Sequence, residues 1–267
     1  MSFSLDPAAA ERWLRRFHTT PRGPSARLVC LPHAGGSAGF FFPFSQALAG
    51  DLDVLAVQYP GRLERHHEEP LTDIGRLADH VVAALTSPAF GTDGLPLVLF
   101  GHSLGALVAY EAASALQERG TPVRALFVSG RRAPSCPDDV KPLHALDDAA
   151  VVAELRDMDG TEDELLSDPE VLRLILPAVR ADYRAVETYR HRTRPRLTSP
   201  VVTLTGDNDP RVRLDQAAAW ADHTTGPHEL RVFPGGHFYL SSPPQRSAVV
   251  ALLRDRLVTG RADAVSP

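Results

Sequence analysis

The sequence predicts an α/β fold, a mostly parallel central sheet flanked by helices, with a helical segment inserted late in the chain. Three observations carry this. Short apolar runs rich in Val and Leu alternate with longer amphipathic segments, the pattern of strands interleaved with helices. A Gly-x-Ser-x-Gly string, Gly101-His102-Ser103-Leu104-Gly105, falls between one such run and a helical one. The alternation then lapses over residues 131–196, where two helical patterns follow each other with no convincing strand between them. With 267 residues, 43% of them hydrophobic and 23% charged, the chain can bury one sizeable core.

Taken in order, strands are expected at 27–31, 54–58, 97–100, 125–129, 201–205 and 229–233, each apolar and each ending in Gly, Pro or polar residues. A helix over 74–85 stops before Pro88, and one over 104–119 is stopped by Gly120 and Pro122. The last helix begins near Ser242, where Pro243 and Pro244 suit a first turn, and runs through Leu257. Residues 1–130 and 197–257 then form the core, 131–196 a helical lid, and 258–267 a frayed tail. Within the insertion, Asp168 and Pro169 open a helix whose Leu172, Ile175, Leu176, Val179, Tyr183 and Val186 share one face. That stripe serves either as packing against the main domain or as the lining of an acyl pocket, and both uses can fall on different residues. Pro177, inside the stripe, removes a backbone donor and predicts a kink.

Composition excludes several classes of function. No apolar run approaches the roughly 18 residues of a membrane span, and no signal-peptide core precedes a cleavage site, so a cytoplasmic protein is expected. A net charge of −5 argues against nucleic acid as a partner. Cys30 and Cys136 form neither a disulfide framework nor a zinc spacing and are expected as reduced thiols. The string from Asp207 resembles the start of a calcium loop, yet Val212 stands where the sharp-turn glycine belongs and Ala218 where the bidentate Glu belongs. No metal site is expected.

The Gly101–Gly105 string has the strand-to-helix setting that a nucleophile elbow needs, with small residues letting strand and helix approach. Such a turn lifts the Ser103 hydroxyl clear of the sheet and points the Leu104 amide at the same place. A serine hydroxyl needs a base, and in the α/β-hydrolase arrangement the base comes last in chain order, after an acid. His237, after the glycine loop 234–236, is the candidate base. Asp207 and Asp209 compete as the acid; Asp209 is preferred, because the chain needs a few residues after the strand to turn back and Pro210 fixes the backbone beside it. A second oxyanion donor should come from the loop after the first strand, where the Ala34 amide precedes Gly35 and Gly36. Among the other histidines, His102 should pack rather than titrate, while His66, His67, His223 and His228 should be solvated.

Read together, Pro32-His33-Ala34-Gly35-Gly36-Ser37, Gln58-Tyr59-Pro60-Gly61-Arg62, the elbow, Val128-Ser129-Gly130-Arg131-Arg132-Ala133-Pro134, Gly206-Asp207-Asn208-Asp209-Pro210 and Gly235-Gly236-His237-Phe238-Tyr239 resemble a type II thioesterase. These are the editing enzymes of modular polyketide and nonribosomal peptide synthases, of the α/β-hydrolase fold. The resemblance spans residues 13–257 and departs from the pattern in the 87–96 loop and the tail. It implies Ser103 as nucleophile, Asp209 as acid, His237 as base, and the Ala34 and Leu104 amides as oxyanion donors. It also implies a lid helix near 174–189, no cofactor, and substrates held as thioesters on the phosphopantetheine arm of acyl or peptidyl carrier domains. Because carrier domains are often acidic in this setting, Arg62, Arg65, Arg131 and Arg132, all beyond strand ends, are expected to contact the arm or the carrier, unless they are merely solvated arginines. A general carboxylesterase and a non-catalytic protein on the same scaffold are the competing readings. An integrated thioesterase domain would follow a carrier domain, whereas this sequence begins with its own Met1.

Overall fold

The computed structural model describes residues 4–21, 23–91, 94–137, 142–157 and 165–259. Its centre is a seven-stranded sheet in the order β1-β3-β2-β4-β5-β6-β7. The strands are β1 (Leu14–Arg16), β2 (Arg27–Leu31), β3 (Asp53–Val57), β4 (Leu97–His102), β5 (Ala125–Ser129), β6 (Val201–Gly206) and β7 (His228–Phe233). Only the β1–β3 pairing is antiparallel. All six expected strands are present. Two run further than the sequence suggested, β4 to His102 and β6 to Gly206, so their carboxyl ends deliver Ser103 and the Asp207–Asp209 turn directly to one rim of the sheet.

Alternating side chains divide the interior in two, as the twofold period of a strand requires. Val29, Leu31, Leu99 and Val128 point toward α3 (Ile74–Leu85) and α4 (Leu104–Glu118), joined there by Trp13 at the end of α1 (Pro7–Trp13). Leu28, Cys30, Phe100 and Phe127 point the other way, onto α2 (Phe42–Leu48) and α8 (Pro243–Arg254). Strands buried on both faces read as continuous apolar runs, which is why they were legible in the sequence. Neither α1, N-capped by the Asp6 side chain, nor β1 was foreseen. Three residues of an edge strand are too few to show a period. Beside them the β3 carboxylate of Asp53 is buried and takes hydrogen bonds from Arg16 at 2.8 and 3.0 Å and from Arg27 at 2.7 Å.

Between β5 and β6 lie α5 (Asp148–Asp157) and α6 (Pro169–Glu187). Leu143, Val151, Leu155, Leu166, Leu176 and Val179 form a third apolar cluster of their own. As the sequence suggested, Asp168 caps α6, accepting from the Glu170 and Val171 amides, and Pro169 occupies the first turn. The helix continues through Pro177. A short helix, α7 (Leu214–Ala218), follows β6; α8 ends at Arg254, earlier than expected, and gives way to a wide π turn over Asp255–Thr259. Most of the predicted frayed tail, 260–267, lies outside the described residues. Cys30 and Cys136 are free, the first buried in β2. Among the described residues no helix is long and apolar enough to cross a membrane.

Candidate active site

Ser103 sits between β4 and α4 with φ +55 and ψ −114, a conformation that a side-chain-bearing residue adopts only when its surroundings hold it there. Two glycines do so. A Cβ on Gly101 would meet the Gly105 carbonyl oxygen at 2.1 Å, and one on Gly105 would meet the Leu31 carbonyl oxygen at 2.1 Å. The start of α4 is thus pressed against β4 and β2, and the Ser103 amide is tied to the Ser129 carbonyl at 2.8 Å.

The two candidate acids after β6 have separate tasks. Asp209, its side chain fully buried, meets His237 Nδ1 with both oxygens, at 2.9 and 3.1 Å, and accepts the Arg211 amide at 2.8 Å. Asp207 is exposed and accepts the Gly235 amide at 2.9 Å, bracing the loop that carries His237. The preference for Asp209 over Asp207 therefore has a geometric counterpart. Ser103, His237 and Ala34 line one cavity of about 60 Å³ at the carboxyl rim of the sheet, together with His33, Arg131, Arg132, Tyr183, Val186, Glu187 and Phe238.

Near this cavity His33 and His102 stay neutral. Burial, then the neighbouring His237 charge, pushes His33 down to about 3, and the same two causes hold His102 well below the usual range. His102 is fully buried, as expected, but it also hydrogen-bonds Ser129 Oγ at 3.0 Å, and Ser129 in turn meets the Tyr239 hydroxyl at 2.7 Å. This chain beneath the elbow was not read from the sequence. A fully buried imidazole needs a polar partner, but only the parallel pairing of β4 with β5 identifies it as Ser129.

Residues 26–257 match the thioesterase domain family. The chain belongs to this family. It is 52% identical over 230 residues to the thioesterase PikA5 of Streptomyces venezuelae, covering 86% of this chain and 80% of that one. The type II thioesterase BorB from the borrelidin biosynthetic cluster superposes with a TM-score of 0.84 at 45% identity, over 92% of this chain and 98% of that one. RedJ, a thioesterase of the prodiginine pathway in Streptomyces coelicolor, gives 0.81 at 38% identity, over 88% and 92%. The enzyme is accordingly a hydrolase of thioesters with the α/β-hydrolase fold.

In this thioesterase the four arginines expected to contact a carrier part company. Arg62 and Arg65 are buried, 7% and 4% exposed, and are internal struts rather than a docking surface. Arg62 forms a two-pronged pair with Asp182 of α6; Arg65 grips Glu68 and the Gln58 carbonyl and lies 4.7 Å over the Trp13 ring. A charge in a loop carries no mark of its burial, and Arg62's carboxylate partner lies 120 positions away. Arg131 and Arg132 do reach the cavity wall, where burial, with Arg132 beside it, pushes Arg131 down to about 9. They also line an adjoining groove of about 690 Å³ that shares Val186 and Glu187 with the cavity.

Two histidines were misplaced. His223 is buried, between Ser135 at 2.9 Å and Tyr110 at 3.3 Å, and His228 belongs to β7 and meets Thr203 at 3.0 Å. The α6 stripe divides, but its larger part packs within the insertion rather than against the main domain as one reading had it. Leu172, Ile175, Leu176 and Val179 pack in the third cluster, while Tyr183 and Val186 line the cavity.

Proposed function

We propose that this enzyme removes stalled or aberrant acyl groups from the phosphopantetheine arm of acyl or peptidyl carrier domains of a modular synthase, in the cytoplasm. Ser103 Oγ attacks the thioester carbonyl while His237 takes its proton through Nε2. Asp209 holds the imidazole by Nδ1 and stabilises the imidazolium, and the Ala34 and Leu104 amides receive the oxyanion. The thiol leaves; water, deprotonated by the same histidine, then releases the acid from the acyl-enzyme. The reaction draws on protein groups and water alone, and the substrate brings its own phosphopantetheine. Residues 131–196 act as a lid over a core of 1–130 and 197–257.

The observation that carries this reading is the Asp209–His237 pair facing the Ser103 cavity, on a strained elbow, in a chain of the thioesterase family. A thiol departs as thiolate with little proton assistance, so the triad alone does not separate thioesters from oxygen esters. The space at the site bears instead on which acyl group and arm fit. A cavity of about 60 Å³ has room for about two water-sized groups, which suits a short acyl chain, and the larger adjoining groove suits a long polar arm. The test is release of acid from a panel of acyl-carrier proteins, beside the same acyl groups on a small thiol and as oxygen esters, with Ser103→Ala as control. Faster turnover on the carrier, lost in the variant, is expected; equal or faster turnover of free oxygen esters would make the enzyme a general esterase.

A further inference from the structure

The oxyanion loop is closed by one bond of its own, from the Gly36 amide to the His33 carbonyl at 3.0 Å, and is otherwise held from outside. Gly35, at φ +73, donates its amide to Asp182 Oδ2 at 2.7 Å, and the Gly36 carbonyl accepts from Arg62 Nη1 at 3.0 Å. Arg62 and Asp182 are themselves joined by two hydrogen bonds, at 2.7 and 2.9 Å, in a pair whose side chains are 7% and 1% exposed. Arg62 Nε reaches the Pro60 carbonyl at 3.2 Å, which anchors the pair to the loop after β3. One turn back along α6, Val179 packs so closely on Gly35 that a Cβ there would stand 2.9 Å from Val179 Cγ2. The peptide groups before Gly35 and after Gly36 are therefore gripped from α6 and from the 58–62 segment, and the Ala34 amide lies one peptide ahead of the first of them.

We infer that Arg62 and Asp182 are positioning residues, through which α6 sets the backbone of the 34–36 loop and with it the direction of the Ala34 N–H. This rests on the reading above that the Ala34 amide receives the oxyanion. Neither side chain touches the reacting atoms. An oxyanion donor acts only if it is aimed before charge develops, and a misplacement of about 1 Å costs about 10²-fold in rate. The pair also makes the donor conditional on α6: with the helix displaced, Gly35 loses both its acceptor and its packing partner.

The decisive variant removes the pair without leaving a lone buried charge. Arg62→Met/Asp182→Leu replaces both ions by apolar groups, an exchange that buried ion pairs often tolerate without loss of stability, while deleting the grips on Gly35 and Gly36. Asp182→Asn is the conservative companion. Active sites are counted by fluorophosphonate titration, kcat and KM are measured per titrated site on a propionyl thioester of a small thiol, and inhibition by an alkyl boronic acid reports binding of a tetrahedral adduct. For the double variant we expect kcat per site to fall about 10- to 100-fold with KM within about threefold, and the boronic acid inhibition constant to rise by the same factor. Asp182→Asn should lie between it and the wild type. A wild-type kcat per site in the folded double variant overturns the inference, as does a loss of activity explained wholly by fewer titratable sites. If the wild type is labelled but does not hydrolyse the thioester, the functional reading fails by itself; the phosphonylation rate, which also builds an oxyanion, then decides the positioning role.

Discussion

Gly105→Ala tests whether the closeness of strand and helix, rather than the serine alone, makes the elbow work. The new methyl would lie 2.1 Å from the Leu31 carbonyl oxygen and 2.8 Å from that of Pro32, where real contacts stay beyond 3.0 Å. The start of α4 must therefore retreat from β2 by about 0.9 Å or more, and neither side of the contact is a flexible side chain that could yield instead. Overpacking of this kind costs about 1–3 kcal/mol. At about 2–4 °C per kcal/mol for a chain of this size, the midpoint should fall by roughly 2–12 °C. The same retreat carries the Leu104 amide and Ser103 Oγ away from His237, so kcat should fall about 10²-fold. The assay pairs a thermal melt with turnover of a propionyl thioester per fluorophosphonate-titrated site. A variant that melts with the wild type and keeps kcat within about threefold would refute the reasoning, because the elbow would then not need that approach.

The two carboxylates after β6 should separate by rate: Asp209→Asn lowers kcat by about 10⁴, the cost of losing the acid of a triad, whereas Asp207→Asn, which only loosens the Gly235 loop, costs less than about tenfold. Steady-state turnover of both variants checks this. Stability should decline in mild acid. Burial, with His191 next, pushes His223 down to about 4, so the folded protein keeps it neutral while the unfolded chain takes up a proton below about 6.5. Its share of stability is present above pH 6.5 and is lost as the pH falls toward 4. His223→Gln should flatten that part of the urea-midpoint profile, with His33 still contributing its own decline. Arg65→Glu should damage the fold rather than carrier use, since it places a second carboxylate beside Glu68 and strips the Gln58 carbonyl of its donor. The melt falls, and the ratio of carrier-bound to free thioester turnover per titrated site stays at the wild-type value.

What the sequence disclosed follows from how far each determinant reaches. Five of the six parallel strands and the elbow rest on local patterns: strands buried on both faces are largely apolar, whereas the edge strand β7 is half-exposed, and a tight strand-to-helix turn demands glycine at Gly101 and Gly105. Even the choice of Asp209 over Asp207 came from turn chemistry within four residues. Two of the misreadings have the opposite property: Arg62 finds Asp182 120 positions away, and His223 finds Ser135 88 positions back. A charged or titratable side chain advertises its chemistry in the sequence, but its partner is chosen by the fold. Arg62 was therefore expected on a docking surface and His223 in solvent, the commonest homes of such groups.

The same distinction bears on α6. Its amino-terminal half belongs to the small third cluster, through Leu176 and Val179, whereas Ala185, Val186 and Tyr189 pack toward the main core. Asp182 lies where these allegiances meet, and Tyr183 and Glu187 face the cavity one step further on. Pro177, which cannot donate to the turn before it, precedes the junction by less than two turns. A cluster of so few buried residues holds its elements less firmly than a sheet packed on both faces. Any loosening of the amino-terminal half must then act on the 34–36 loop first, through Val179 and Asp182, before it reaches Ser103, which is held from below by β4, β5 and the Ser129 carbonyl. Ser103 is thus held by the central strands and the 34–36 loop by α6, so under the proposed mechanism one helix bears both on the cavity wall and on the Ala34 amide.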